Sequence, residues 1–277
     1  MALPQASTLL IHNADCIATQ DGARRELRDA SIFIRGNVIE HVGPSGELPP
    51  RLLDEAGEVI DARHHLVTPG LVNTHHHMFQ SLTRAIPAVQ NAELFGWLRG
   101  LYPVWGGLTP EMVYVSTQVA MAELLMSGCT TSSDHLYIFP NGFRLDDSIE
   151  AAREMGMRFT ASRGSMSVGQ SKGGLPPDGL VEAEDFILKD SERLIRQFHD
   201  AQHGSMTQIA LAPCSPFSAA ARSAGPPIMS GSGAAAAIGT KRSPPAGIAP
   251  VKEIVDPLSG DGMYEAFSSA KLVTSGP

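Results

Sequence analysis

The chain has 277 residues, of which 43% are hydrophobic and 18% charged, and its formal net charge is -8. That composition supports a buried core and excludes a wholly disordered chain, and the acidic balance argues against a nucleic-acid binder, which usually carries a basic face. No apolar run approaches the ~18–20 residues of a membrane helix, and the opening MALPQASTLL has neither the basic nor the apolar region of a secretory signal. Cys16, Cys129 and Cys214 are widely spaced and odd in number. They read as reduced thiols, so a cytoplasmic location is expected.

Residues 1–67 alternate short apolar runs with turn residues. TLLIHNADCIAT, ASIFIRGNVIEHVG and GEVIDARHHLV each predict strands or hairpin arms, with a tight turn at Arg35–Asn37 and a loop at Pro49 and Pro50. A small antiparallel β subdomain, a sandwich, is expected. His12, His41, His64 and His65 fall there and read as structural or surface residues.

The pattern changes over residues 68–217. HLVTPGLVNTH predicts a buried strand. Thr109 is an N-cap signal, with Pro110 at the first helical position and Glu111 in the first turn. Val115, Val119, Ala122 and Leu125 follow at helical spacing, and Gly128 ends the run. CTTSSDHLYIF is a strand, DDSIEAAREMG a helix closed by Gly156, and MRFTASRGSM a strand. EAEDFILKDSERLIRQFHD is a helix with Phe186, Leu194, Ile195 and Phe198 on one face, and TQIALAPCS is a further strand. Alternating strands and helices signal βα units on a parallel sheet, here four strands, or half of an eight-stranded barrel. Residues 218–277 form the third region. Its first part, to residue 250, is dominated by Ala, Gly, Ser and Pro and reads as a low-complexity linker. Tyr264, Phe267 and Leu272 would line a short helix face.

The strongest chemical signal is Asn73-Thr74-His75-His76-His77-Met78-Phe79-Gln80. Along a strand, residues i and i+2 point to one side, so His75 and His77 project together and His76 away. Two such imidazoles are half of a zinc or iron site. At the C-terminal end of a barrel strand they would lie on the active-site face.

With its flanks, LVTPGLVNTHHHMFQSLTRA resembles the first barrel strand of the metal-dependent amidohydrolases, in the branch that deaminates ring carbons of heterocycles. The resemblance continues through ELFGWLRGLYPVWGGLTPEMV, AELLMSGCTTSSDHLYIFP and IALAPCSPFS, over about residues 8–218. It is strongest to the 8-oxoguanine deaminase group, then to hydroxyatrazine-type and guanine or cytosine deaminases. It implies the N-terminal half of a (β/α)8 TIM barrel, with His75 and His77 as metal ligands and zinc, or iron, as the ion. Gln80, Trp105 and His135 would then meet a small heterocyclic substrate, an 8-oxoguanine-like purine or a hydroxytriazine. Asp134, Cys214 and Ser215 are further residues at strand ends. The implied chemistry is hydrolytic: hydroxide formed from metal-activated water attacks the ring carbon that bears the amino group, and ammonia leaves.

The family's pattern also needs a histidine and a glutamate after the fifth strand, a histidine after the sixth and an aspartate after the eighth. The last histidine here is His203, and Glu253, Asp256, Asp261 and Glu265 stand in an unrelated context. No general acid or base can be assigned. The expectation is a truncated chain, inactive by itself and marginally stable unless it forms a homo-oligomer. The alternative is a remnant or chimaera that only binds or oligomerises. VDPLSGDGMYEAFSSAK is faintly similar to a cofactor motif of flavin-dependent reductases. No G-x-G-x-x-G strand–turn–helix accompanies it, so FAD is not expected.

Overall fold

A computed structural model describes residues 7–202, 204–215, 218–219 and 270–274. They divide into two compact units. One holds the described residues of Met1–Val72, Gly128–Thr131 and Val255–Pro277, the other those of Asn73–Ser127 and Ser132–Ile254.

The first unit is built on a sheet. Strands β1 (Thr8–Ala18), β2 (Glu26–Arg35) and β3 (Val38–Pro44) form an antiparallel meander. The turn between β2 and β3 falls where expected, with Gly36 at φ 61°, a conformation glycine adopts at no steric cost. Helix α1 (Pro50–Asp54), β4 (Glu58–Asp61) and β5 (His65–Pro69) follow. Two expectations are corrected here. The Pro49–Pro50 loop is a short helix, started by proline and held because Leu52 packs with Leu10, Phe33 and Leu48 on one side of the sheet. The pairing, expected to be antiparallel, is mixed over the described residues, because β1 pairs in parallel with both β4 and β5. Ile11, Ala14, Ile17, Ile32, Ile34 and Val67 form a second buried cluster.

The second unit carries the βα alternation. The alternation runs through β6 (Leu71–Asn73), α2 (Leu94–Trp105), α3 (Pro110–Met126), β7 (Cys129–Leu136), α4 (Leu145–Met155), β8 (Arg158–Ser165), α5 (Glu184–Phe198) and β9 (Thr207–Pro213); Leu71 and Val72 of β6 and the start of β7 fall in the first unit. The strands lie side by side in chain order, β6-β7-β8-β9. β8 and β9 are parallel, from Phe159 opposite Thr207 to Ser165 opposite Pro213. This is the strand order expected of the first half of a parallel barrel.

Local signals set the helix ends. Thr109 caps α3, its side chain accepting the Met112 N–H at 3.3 Å, with Pro110 following. Gly156 closes α4 in the left-handed conformation, φ 66°. The buried face of helix α5 differs in part from the expected one: Leu194 is buried as expected, Ile187, Asp190 and Ser191 are buried with it, and Phe186 is exposed. The cause is polar. Asp190 turns inward to meet the buried Arg163 of β8, Oδ2 to Nε 2.9 Å.

One further expectation fails in the last region. Ala270–Thr274 is a strand, β10, antiparallel to β5, with Ala270 opposite Pro69 and Thr274 opposite His65. Leu272 therefore belongs to a strand and not to a helix, and the tail contributes a strand to the first unit's sheet. The low-complexity stretch beyond Ala219, Tyr264, Phe267 and the DPLSGDG segment lie outside the described residues.

Candidate functional site

β6 stops at Asn73, whose Oδ1 accepts the His75 N–H at 2.9 Å. The three histidines therefore lie just past the strand end, and not within the strand. The neighbouring strand β7 keeps them aligned. Ser133 Oγ donates to Thr74 O at 3.2 Å, the His135 N–H donates to His76 O at 2.9 Å, and Asp134 Oδ1 accepts the Met78 N–H at 2.8 Å. A turn of 3-10 helix, Met78–Thr83, follows.

The rings of His75 and His77 are 5.0 Å apart, nearly perpendicular. His75 is exposed and His77 half-buried. The His77 Nδ1–H donates to His135 O at 2.8 Å. Since a carbonyl only accepts, that bond places the proton on Nδ1 and leaves Nε2 with its lone pair. Burial pushes the His77 pKa down to about 4. The ring is thus neutral near pH 7, the form in which imidazole binds a metal. His76 does not join the pair, and its buried Nδ1 has no partner.

Gln80 Nε2 donates to Tyr137 Oη at 3.3 Å, and the Tyr137 ring stands edge-on to His77 at 5.4 Å. His75, His77, Gln80, His135 and Tyr137 therefore cluster. Tyr137 was not singled out from the sequence, although it lies two residues past His135 in the same D-H-L-Y run. Trp105 is not at this surface. It is fully buried behind Phe79, at 5.2 Å between ring centroids, and its Nε1–H donates to Thr83 Oγ1 at 3.0 Å. Trp105 thus supports the Met78–Thr83 turn from behind. Trp105→Phe is expected to lower stability by about 1–3 kcal/mol, the cost of a void and a lost bond to a buried hydroxyl. Zinc binding by the same variant should stay at the wild-type level; a large loss of binding with stability intact would place Trp105 at the site itself.

Behind the histidines, Asp134 is fully buried and its Oδ2 has no hydrogen-bond partner. Burial raises its carboxyl to about 7, against the Met78 N–H that favours the charged form. Cys214 is half-buried, its thiol pushed up to about 11 by burial. This is the state of an inert thiol. Ser215 is exposed, and its Oγ lies 3.5 Å from that of Ser218.

His75 and His77 fit a divalent cation by donor chemistry: two imidazoles, one of them fixed with its Nε2 lone pair available. Among the described residues, no group of three or more His, Cys, Asp and Glu side chains is placed to hold a metal ion. The described residues therefore fit the first two donors of a site, and not a complete one. None of the described helices is long and apolar enough to cross a membrane.

Residues 66–223 match the model of the Amidohydrolase family. The chain is 51% identical over 185 residues to 8-oxoguanine deaminase of Pseudomonas aeruginosa, covering 66% of this chain and 40% of that protein. It is 36% identical over 211 residues to hydroxydechloroatrazine ethylaminohydrolase of Pseudomonas sp. strain ADP, covering 72% and 44%. Among solved structures, atrazine chlorohydrolase from Arthrobacter aurescens TC1 complexed with zinc superposes with a TM-score of 0.69 at 33% identity, over 76% of this chain and 48% of that one. The chain spans about two fifths of the length of the curated relatives it matches.

Proposed function

Because this chain belongs to the amidohydrolase family, we propose that it carries the first-strand metal-ligand pair of a hydrolytic deaminase of aminated heterocycles. The substrate class is an 8-oxoguanine-like purine or a hydroxytriazine, in line with the relatives on either side of it. Zinc is the assigned ion and iron the alternative, since imidazole suits both. The orientation of His77 carries the reading: its Nδ1–H is committed to His135 O, so Nε2 is the donor atom. When bound, a divalent ion supplies hydroxide by lowering the pKa of a water. His75 and His77 would hold the ion, and the Gln80 amide, steadied by Tyr137, offers a donor and an acceptor to a purine or triazine edge. No general base or acid is assigned among the described residues. A cytoplasmic setting belongs to the same reading, since its cysteines would stay reduced there.

Equilibrium dialysis against zinc tests the ligand pair. His75→Ala and His77→Ala are each expected to weaken binding by more than the ~10–100-fold typical of losing an outer-shell partner. Binding unchanged in both variants would overturn the assignment. That the described residues supply no third donor favours a second reading for this polypeptide alone, a metal-binding or oligomerising protein without turnover. The 277-residue chain is accordingly expected to release no ammonia from 8-oxoguanine, with or without zinc. Metal-dependent release would sink that second reading.

A further inference from the structure

His135 lies on β7, yet its ring reaches past the neighbouring strand. The His135 Nε2–H donates to Ala212 O on β9 at 2.7 Å, and β8 runs between those two strands. The ring crosses β8 at Gly164, the residue opposite Ala212 in the β8–β9 register. A Cβ added at Gly164 would stand 2.7 Å from His135 Nε2, 2.5 Å from Tyr137 Cβ and 2.6 Å from Leu136 O. Real Cβ atoms do not approach so closely, and a strand backbone gives way poorly. Glycine is what lets the imidazole lie there.

The main chain of His135 meets the histidine segment on its other side. Its N–H holds His76 O, and its carbonyl accepts the His77 Nδ1–H. One residue thus links β9, across β8, to the ring of His77.

We infer that His135 is a positioning residue: its ring, laid over Gly164 and tied to Ala212, fixes the carbonyl that holds His77 in the Nδ1–H tautomer. The inference deepens the metal-ligand reading and rests on it only for the use of His77 Nε2 as a donor atom. A residue that merely filled space at position 135 would leave the His77 tautomer unchanged when replaced by a ring of like size.

Nitrogen NMR of the full chain labelled at histidine, without metal, reads this directly. In the wild type, the two residues are expected in opposite tautomers, His77 protonated at Nδ1 and His135 at Nε2. This arm needs no variant, and an Nε2–H tautomer at His77 overturns the inference. His135→Phe keeps a ring but removes the Nε2–H, so His77 should pass to an averaged mixture of both forms. His135→Gln places an amide N–H near the same point and should restore the single tautomer. Zinc affinity should follow, falling ~10–100-fold in the phenylalanine variant and recovering in the glutamine one. A wild-type pattern at His77 in folded His135→Phe overturns the inference. A tautomer lost and regained as described, in a protein that binds no zinc, supports the positioning role and removes the ligand reading instead.

Discussion

Arg163→Met is expected to destabilise the chain by about 3–5 kcal/mol, the cost of breaking a buried ion pair by removing one partner. The side chain is completely buried on β8. Its Nε meets Asp190 Oδ2 at 2.9 Å, one terminal nitrogen forks onto both oxygens of Glu182 at 3.0 and 2.9 Å, and the other donates to Gly164 O. The guanidinium also stacks on Phe139, 3.8 Å from the ring centre. Methionine fills much of the volume but supplies none of these donors. Burial already raises the Glu182 carboxyl, and Arg163 is the first group that opposes it. Without Arg163, Glu182 either takes up a proton or stays charged and unpaired. Asp190 is less exposed to the loss, since Arg144 and Arg193 still bind its Oδ1. Arg163→Lys should recover only part of the stability, because an ammonium can neither fork nor stack as a guanidinium does. Urea unfolding decides: a methionine variant within 1 kcal/mol of wild type would contradict the account.

Asp134→Asn should make the metal-free protein's stability respond differently to pH. The folded carboxyl titrates near 7 because it is buried, against the 3.8 of an ordinary aspartate. Between those values the folded state holds a proton that the unfolded state has released. Raising the pH across that window therefore destabilises the wild type, by about 1.4 kcal/mol per pH unit. Below the window both states are protonated, above it both are ionised, and the difference from the asparagine variant is constant on either side. His77 acts in the opposite sense. Its folded value of about 4 lies below the ordinary 6.5, so the unfolded state binds the extra proton and stability rises with pH between them. That contribution is common to both proteins and cancels in the comparison. Asparagine keeps an oxygen for the Met78 N–H. Urea midpoints at pH 5, 6, 7 and 8 should show the variant gaining on the wild type up to about pH 7 and then holding its lead. Parallel curves would refute the buried-acid account.

What could be read from the sequence followed from how local each cause is. Thr109-Pro110 and Gly156 act within one helical turn, and both ends fall where they were expected. The His-x-His pair was visible because a two-residue period survives just past the end of β6. The parallel pairing of β1 with β4 and β5 was not legible, since each partner lies far along the chain and strand propensity carries no direction. The face of α5 was misjudged in part, for a related reason. An aspartate reads as a solvent-facing residue until an arginine on another strand turns it inward. His135 reads as a group for substrate, whereas its ring position depends on a glycine 29 residues later, in the S-R-G-S run of β8. Tyr137 joins the cluster through its ring contacts with His77 and His135 and its bond from Gln80. No pattern of spacing announces such a contact.

Three successive residues of β7 grip the histidine segment, and every atom they grip there, apart from the His77 ring, belongs to the main chain. Ser133 holds the Thr74 carbonyl, His135 the His76 carbonyl, and Asp134 the Met78 amide. The two stretches are thus matched in length more strictly than in composition. A changed side chain at Thr74 or Met78 leaves these particular bonds available. A single codon gained or lost between Thr74 and Met78, or between Ser133 and His135, slips one stretch past the other and takes these donors and acceptors out of register. Sequence drift at Thr74 and Met78 can therefore proceed by substitution, whereas a change of length in either stretch is hardly tolerated.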